Sequence, residues 1–319
     1  MPNTRFRRAA VALVLAAAAA TPALAQRVIR VVVPFGPGAV QDTIARTFNA
    51  ELGQALGASV VVENRPGAGG TIGTAQVART TDNNTLVLAA ASHTLAGHLY
   101  TKLDYDPIKN FTGVAYIGNS GYVIAAPGNL GVNTLADYIK LLKSKQGQLN
   151  YASAGNGSAT HLGMAYFLAK SGIEMQHVPM KSTGDAVNEV LAGRVQGVTS
   201  ALLGVTAFKQ DPRIKLLAYT GTQRSKFMPE LPTVAESGVQ GYKFDTWFGL
   251  LAPATMPRAE VDRLNAAVNK VLGEPVVQER LARLGIETGT MPVDGFQQLL
   301  KADYEAAGAL VKASGARIE

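Results

Sequence analysis

"VVVPFGPGAVQD", Val31 to Asp42, is the stretch on which the fold turns. It opens as a run of β-branched residues, which reads as a buried strand, and stops at Pro34-Phe35-Gly36-Pro37-Gly38. Beyond that loop, Asp42 to Leu56 has the apolar spacing of a helix. A strand that runs through a constrained loop into a helix is the repeating unit of an α/β protein with parallel strands. The loop itself carries no Arg or Lys.

A second stretch, "YASAGNGSATH", Tyr151 to His161, mirrors the first. Gly155 and Gly157 let the backbone bend closely. Ser153, Asn156, Ser158 and Thr160 set hydroxyls and an amide just ahead of a helix. Helix N-termini offer free N–H groups and a partial positive charge, so each is a potential anion site. Ordinary capping explains either loop alone. Two such loops in two similar units point to a ligand met by both.

Outward from these loops the pattern continues. "SVVVENR", "TLVLAAAS", "LNYASAG", "EMQHVPM", "VQGVTSAL", "IKLLAYT" and "WFGLLAP" read as strands, with helical segments between most of them. Gly73 to Arg79 reads as a short helix, and Asn133 or Thr134 as the cap of another. Gly172 and Gly193 read as helix ends, and Val293 to Ser314 contains the last long helix. In "VAYIGNSGYVIAAP", Val114 to Pro127, two apolar runs flank Gly-Asn-Ser-Gly, a crossing point into a second unit. The division expected is residues 26–124 with 221–319 as one discontinuous domain and 125–220 as the other. The hinge is expected near Val114–Pro127 and Ile214–Thr220. Ser92 and Ser200 fall at the C-terminal ends of strands, the edge where open α/β sheets bind ligands.

Composition bounds the function. A length of 319 residues suits about two domains, and 47% hydrophobic residues supply ample core. Arg5, Arg7 and Arg8, the apolar run Ala9 to Ala20 and "ALAQ" read as a secretory signal peptide cut after Ala25. The apolar run is well short of the ~20 residues a membrane span needs. The signal holds three of the 30 basic residues and none of the 23 acidic ones, so the formal charge of +7 falls to +4 in the remainder. Without a Lys/Arg block, this argues against a nucleic-acid partner. The sequence has no cysteine, which removes thiol catalysis, Cys-based metal sites and a lipid-anchored cysteine at the cleavage site.

Rival chemistries find little support. "ENRPGAGGTIGTA", Glu63 to Ala75, comes near a dinucleotide-binding turn, but its spacing is G-x-G-x-x-x-G and no acidic residue ends the next strand. A tight loop, with Asn64 and Arg65 in structural hydrogen bonds, is the better reading. The four histidines, His93, His98, His161 and His177, show no metal-site spacing. Ser153 with His161 suggests a nucleophile pair, yet there is no G-x-S-x-G elbow and no acid placed to orient the imidazole. No cofactor is expected.

Taken together, "VVPFGPGAVQDTIAR", "VVVENRPGAGGTIGTAQVA", "YASAGNGSATHL", "HVPMKSTGDAVNEVLAGRVQ" and "ELPTVAESGVQGYKFDTWFGLLAPATMP" resemble the Bug proteins. These are periplasmic receptors of tripartite tricarboxylate-type transporters, and the resemblance runs in order along the whole chain after the signal. It implies a type II periplasmic binding protein, a Venus flytrap of two α/β domains with a hinge and an interdomain cleft. It also implies a non-catalytic receptor for a small carboxylate, monomeric, serving membrane transporter subunits. A secreted hydrolase, a nucleotide-dependent enzyme and a ligand sensor for a signalling system are the alternatives. Carried over, the carboxylate-holding loops are Phe35 to Asp42 and Ser153 to Thr160. The ligand-binding residues expected are Phe35, Gly36, Gly38, Ala39, Val40, Asp42, Ser92, Ser153, Ala154, Asn156, Gly157, Ser158, Thr160 and Ser200. Ala39 stands where the family usually has a second glycine.

Overall fold

The structure, a computed structural model, describes residues 27–156 and 158–314. The signal segment with its cleavage point after Ala25, and Gly157 of the second loop, lie outside the described residues.

The opening unit forms as its residue pattern requires. β1 (Val28–Val33) pairs in parallel with β2 (Ser59–Asn64) and β3 (Thr85–Ala90). Between them run α1 (Val40–Leu56) and α2 (Thr71–Ala78), each starting two residues earlier than the periodicity alone suggests. α1 lays Ile44, Phe48 and Leu52 on Ile29, Val31 and Val33, a side chain from every turn. It stops at Gly57, whose φ of +60° lets the chain turn back to bond Gly53 and Gln54 carbonyls. An unexpected helix, α3 (Ser92–Leu99), follows β3 at once.

β4 (Phe111–Pro127) is one continuous strand of 17 residues through Gly-Asn-Ser-Gly. The glycines do not break it; they make room for neighbours. A Cβ on Gly121 would stand 2.3–2.5 Å from the Tyr219 ring, whose hydroxyl accepts the Gly121 N–H at 2.7 Å. The first part of β4 pairs with β9 (Asp245–Pro253) as far as Gly121, and from Tyr122 onward it pairs with other strands.

Those other strands build a second unit. α4 (Leu135–Ser144) starts in a capping box of Thr134 and Asp137. β5 (Asn150–Ser153), α5 (Ala159–Ser171), β6 (Gln176–Pro179), α6 (Thr183–Leu191), β7 (Gly197–Ala201), the short α7 (Leu202–Thr206) and β8 (Ile214–Tyr219) follow. Gly172 ends α5 in the left-handed region, as expected. The chain then returns to β9, α8 (Arg258–Leu272), α9 (Pro275–Arg283), β10 (Glu287–Thr288) and α10 (Val293–Ser314).

The sheet runs β2-β1-β3-β9-β4-β7-β5-β6, with β8 and β10 also on β4. Each half has the same plan. In the first, antiparallel β9 sits between β3 and β4; in the second, antiparallel β4 sits between β7 and β8. Because β4 runs parallel to β1 and β3 but antiparallel to β5 and β7, the C-terminal edges of the two halves face each other across the crossing. The loops after β1 and β5 therefore share one rim space. α10 packs on α3, α5 and β4 and ties the halves together.

Candidate ligand-binding site

The two loops share main-chain bonds at matching places. Val33, the last residue of β1, accepts from Arg65 N–H at 2.8 Å, and Ser153, the last of β5, accepts from Met180 N–H at 2.9 Å. Ala39 N–H closes a turn on Gly36 O, and Ser158 N–H closes one on Gly155 O, both at 3.2 Å. The residues that begin the helices share a conformation: φ −62° and ψ 157° at Ala39, φ −66° and ψ 154° at Ser158. Gly38 (φ +82°) and Gly155 (φ +108°) take backbone shapes that a Cβ would strain.

The two helix ends differ in how they are capped. Ser158 Oγ accepts from His161 N–H. Ala39 has no oxygen to offer, and the first bonded N–H of α1 is that of Thr43, to Ala39 O. The N–H groups of Val40, Gln41 and Asp42 are thus left for solvent or an anion. With no Arg or Lys in either loop, negative charge would be met by these N–H groups and the helix dipoles.

Asp42, expected at the ligand, has both carboxylate oxygens bonded within the protein. It is 4% exposed. Its Oδ2 accepts from Gly38 N–H at 2.9 Å, and its Oδ1 accepts from Asn64 Nδ2 and Arg46 Nε, both at 2.9 Å. Burial pushes this carboxyl up, but the Gly38 N–H, the Asn64 amide and the Arg46 guanidinium together hold it below the usual carboxylate range. Asn64 also donates to Phe35 O at 3.0 Å, so the structural hydrogen bonds expected of it are present. Asp42 and Asn64 shape the first loop from beneath.

Ser153, Thr160 and Ser200 are likewise buried. Thr160 Oγ1 accepts from Ala154 N–H at 2.8 Å, and Ser200 Oγ donates to Ala201 O. Ser153 Oγ contacts His177 Nε2 at 2.6 Å and accepts from Gly155 N–H at 3.1 Å. The partner of Ser153 is therefore His177 rather than His161. Burial and the neighbouring His161 ring, stacked at 4.1 Å, push His177 down to about 4. His177 has no signal of its own in the sequence; only the register of β5 with β6 brings it to this loop. Gly38, Val40, Ser92 and Asn156 are exposed, while Phe35, Gly36, Ala39, Ala154 and Ser158 are half-buried. Ser92 begins α3 instead of ending β3.

The glycine segment after β2 is filled by the chain's own side chains. A Cβ at Gly69 would meet Tyr100 Oη, and one at Gly67 would meet Ile72. Tyr100 Oη donates to Ala68 O at 2.8 Å, so the turn closes on itself and leaves no cradle for a pyrophosphate. Among the described residues there is no group of three His, Cys, Asp or Glu able to hold a metal ion, and no helix long and apolar enough to cross a membrane.

Two α/β halves of the same strand order, joined through a shared strand and facing each other with helix N-termini, define a periplasmic binding protein. The family model described as "Tripartite tricarboxylate transporter family receptor" matches residues 44–316, and the chain belongs to that family. It is 33% identical over 288 residues to a protein of Pseudomonas sp. (strain P51), "UPF0065 protein in tcbD-tcbE intergenic region". That alignment covers 89% of this chain and 85% of the relative. The solved periplasmic binding protein BugD is 31% identical, with a TM-score of 0.75 over 92% of this chain and 99% of BugD. R. palustris Rpa4515, solved with adipate, is 29% identical, with a TM-score of 0.79 over 92% of this chain and 100% of that one. The Bug-type fold and family expected from the residues are both found.

Proposed function

We propose that the chain is a periplasmic receptor that captures a small carboxylate between the loops 35–42 and 153–160 and delivers it to a tripartite tricarboxylate-type transporter. The observation that carries this reading is the matching main-chain geometry of the two loops, each of which leads from the C-terminal edge of its sheet into a helix N-terminus. The adipate of Rpa4515 supports a carboxylate, as does the lack of an Arg or Lys in either loop, which leaves helix N-termini to meet the charge. Residues 26–124 with 221–319 form one domain and 125–220 the other. They close about β4 and the Ile214–Thr220 segment, and a ligand favours closure only as far as it touches the closed form better. The signal peptide directs export, and the receptor acts as a monomer.

A receptor fits better than a hydrolase because Ser153, whose hydroxyl meets the His177 ring at the loop, has 0% exposure. The test is a thermal-shift screen with adipate, malate, citrate, amino acids and aromatic acids, followed by calorimetry. A carboxylate at 100 times its Kd adds roughly 2.7 kcal/mol of stability. Stabilisation by one class, weakened by Ser158→Ala, is the expected result. A flat response across the panel, or an affinity indifferent to both Ser158→Ala and Asp42→Ala, overturns the reading. Uptake with the purified membrane subunits separates delivery from signalling.

A further inference from the structure

A cavity of about 440 Å³ lies away from both loops, under α10. Its floor is the crossing itself, with Tyr116 of β4 and Phe244, Asp245 and Trp247 at the start of β9; Tyr166 of α5 forms one wall. α10 forms its roof with small residues, Ala302 and Ala306 one turn apart, and this is what keeps the space open. None of residues 35–42, 92, 153–160 or 200–203 lines it. The volume falls within the range of small-molecule sites, roughly 300–1,000 Å³.

The wall chemistry is opposite to that of the loops. Four aromatic rings, Tyr116, Tyr166, Phe244 and Trp247, line the space. Tyr166 already stacks on Tyr242 and carries the Lys170 ammonium 5.8 Å from its centroid, which leaves Tyr116, Phe244 and Trp247 as the rings an added cation could meet. Two carboxylates, Asp245 and Asp303, line the same space. Asp303 Oδ2 accepts from Trp247 Nε1 at 2.8 Å and from Thr94 Oγ1, so it is held in place. Among the described residues Asp245 pairs with Lys243, which also lines the cavity, its Nζ 3.7 Å away on a side chain 59% exposed. That pair is long and solvent-screened, so a cation inside the cavity can take over the carboxylate. We infer that this cavity is a second binding site, for a small organic ammonium ion with an apolar or aromatic body. Burial, and to a lesser degree Asp303, push the Asp245 carboxyl up despite Lys243, so an added positive charge there relieves an unfavourable field.

Both halves line the cavity, Tyr166 from the second and Tyr116, Trp247 and Asp303 from the first. Its occupant is gripped by both and so binds with different strength to open and closed arrangements. Linkage then makes it alter the affinity for a carboxylate in the cleft, and the reverse by the same factor.

The experiment is calorimetry on the whole protein with phenethylammonium, its uncharged analogue 2-phenylethanol and the anion 3-phenylpropionate, alone and beside adipate. Phenethylammonium binds at least tenfold tighter than 2-phenylethanol. Asp245→Asn costs it tenfold or more, and Ala306→Phe, which fills the space, abolishes it while the adipate response persists. No binding at millimolar phenethylammonium overturns the inference, as does equal binding of the alcohol or binding unchanged in both variants. Binding of 3-phenylpropionate that is lost in Ala306→Phe places an anion in this cavity and also overturns the inference. Adipate is measured separately, so failure of the carboxylate reading and failure of this one are different results.

Discussion

Ala39 sits at the start of α1 in the conformation a capping residue needs, with φ −62° and ψ 157°, yet it cannot cap. Ala39→Ser supplies the missing oxygen, as Ser158 does in the other loop. The fold should gain about 1 kcal/mol, read from denaturant unfolding, while carboxylate affinity falls because one N–H is now occupied. Opposite signs on stability and binding mark an N-terminus left bare for a ligand. Asp42→Ala acts differently: it strips Gly38, Asn64 and Arg46 of their acceptor and should cost roughly 1–3 kcal/mol, with loss of binding following from the collapsed loop. His177→Phe keeps a ring against His161 and Tyr151 but breaks the bond to Ser153. Calorimetry with adipate should show a severalfold weaker Kd and a modest change in melting temperature. These roles are invisible one residue at a time, since the bond that Asn64 gives Asp42 comes from 22 residues on.

Strands and helices were largely legible because each needs only a local period: the valines of β1, the spacing of α1, the terminal glycine of α5. What stayed hidden is what depends on partners distant in sequence. The Gly-Asn-Ser-Gly of β4 looks like a turn, and only the Tyr219 ring explains why Gly121 belongs in a strand. Gly121→Ala should therefore destabilise the protein by about 1–3 kcal/mol through overpacking at the crossing, a loss measurable by chemical denaturation. α3 was missed because "SHTLAGHL" has no clear apolar stripe of its own; Leu95 and Leu99 are buried against residues of the second half and of α10. The pairing of Ser153 with His177 likewise waits on the register of two parallel strands.

For the molecule as a whole, acid should be the weak point. His93 is buried, with Nε2 bonded to Pro107 O and Nδ1 without a partner, and burial pushes it down to about 4. Its unfolded value lies near 6.5, so between pH 6.5 and 4 the unfolded chain binds the proton and the folded one resists it. The stabilisation is complete above that window and drains away as pH falls through it, by roughly 3 kcal/mol for this group alone. His177, and more weakly His161, are displaced the same way. A melting temperature that holds steady from pH 7 to pH 4.5 would contradict this account.

β4 also dictates an order of assembly. Every strand of the second half, β4 to β8, lies within residues 111–219, so the sheet of that half can pair as soon as this stretch of chain exists. The first half cannot. Its sheet has a gap between β3 and β4 until residues 245–253 arrive to fill it. The half that begins the chain is thus the one whose sheet is completed last, by a strand encoded some two hundred residues after β1.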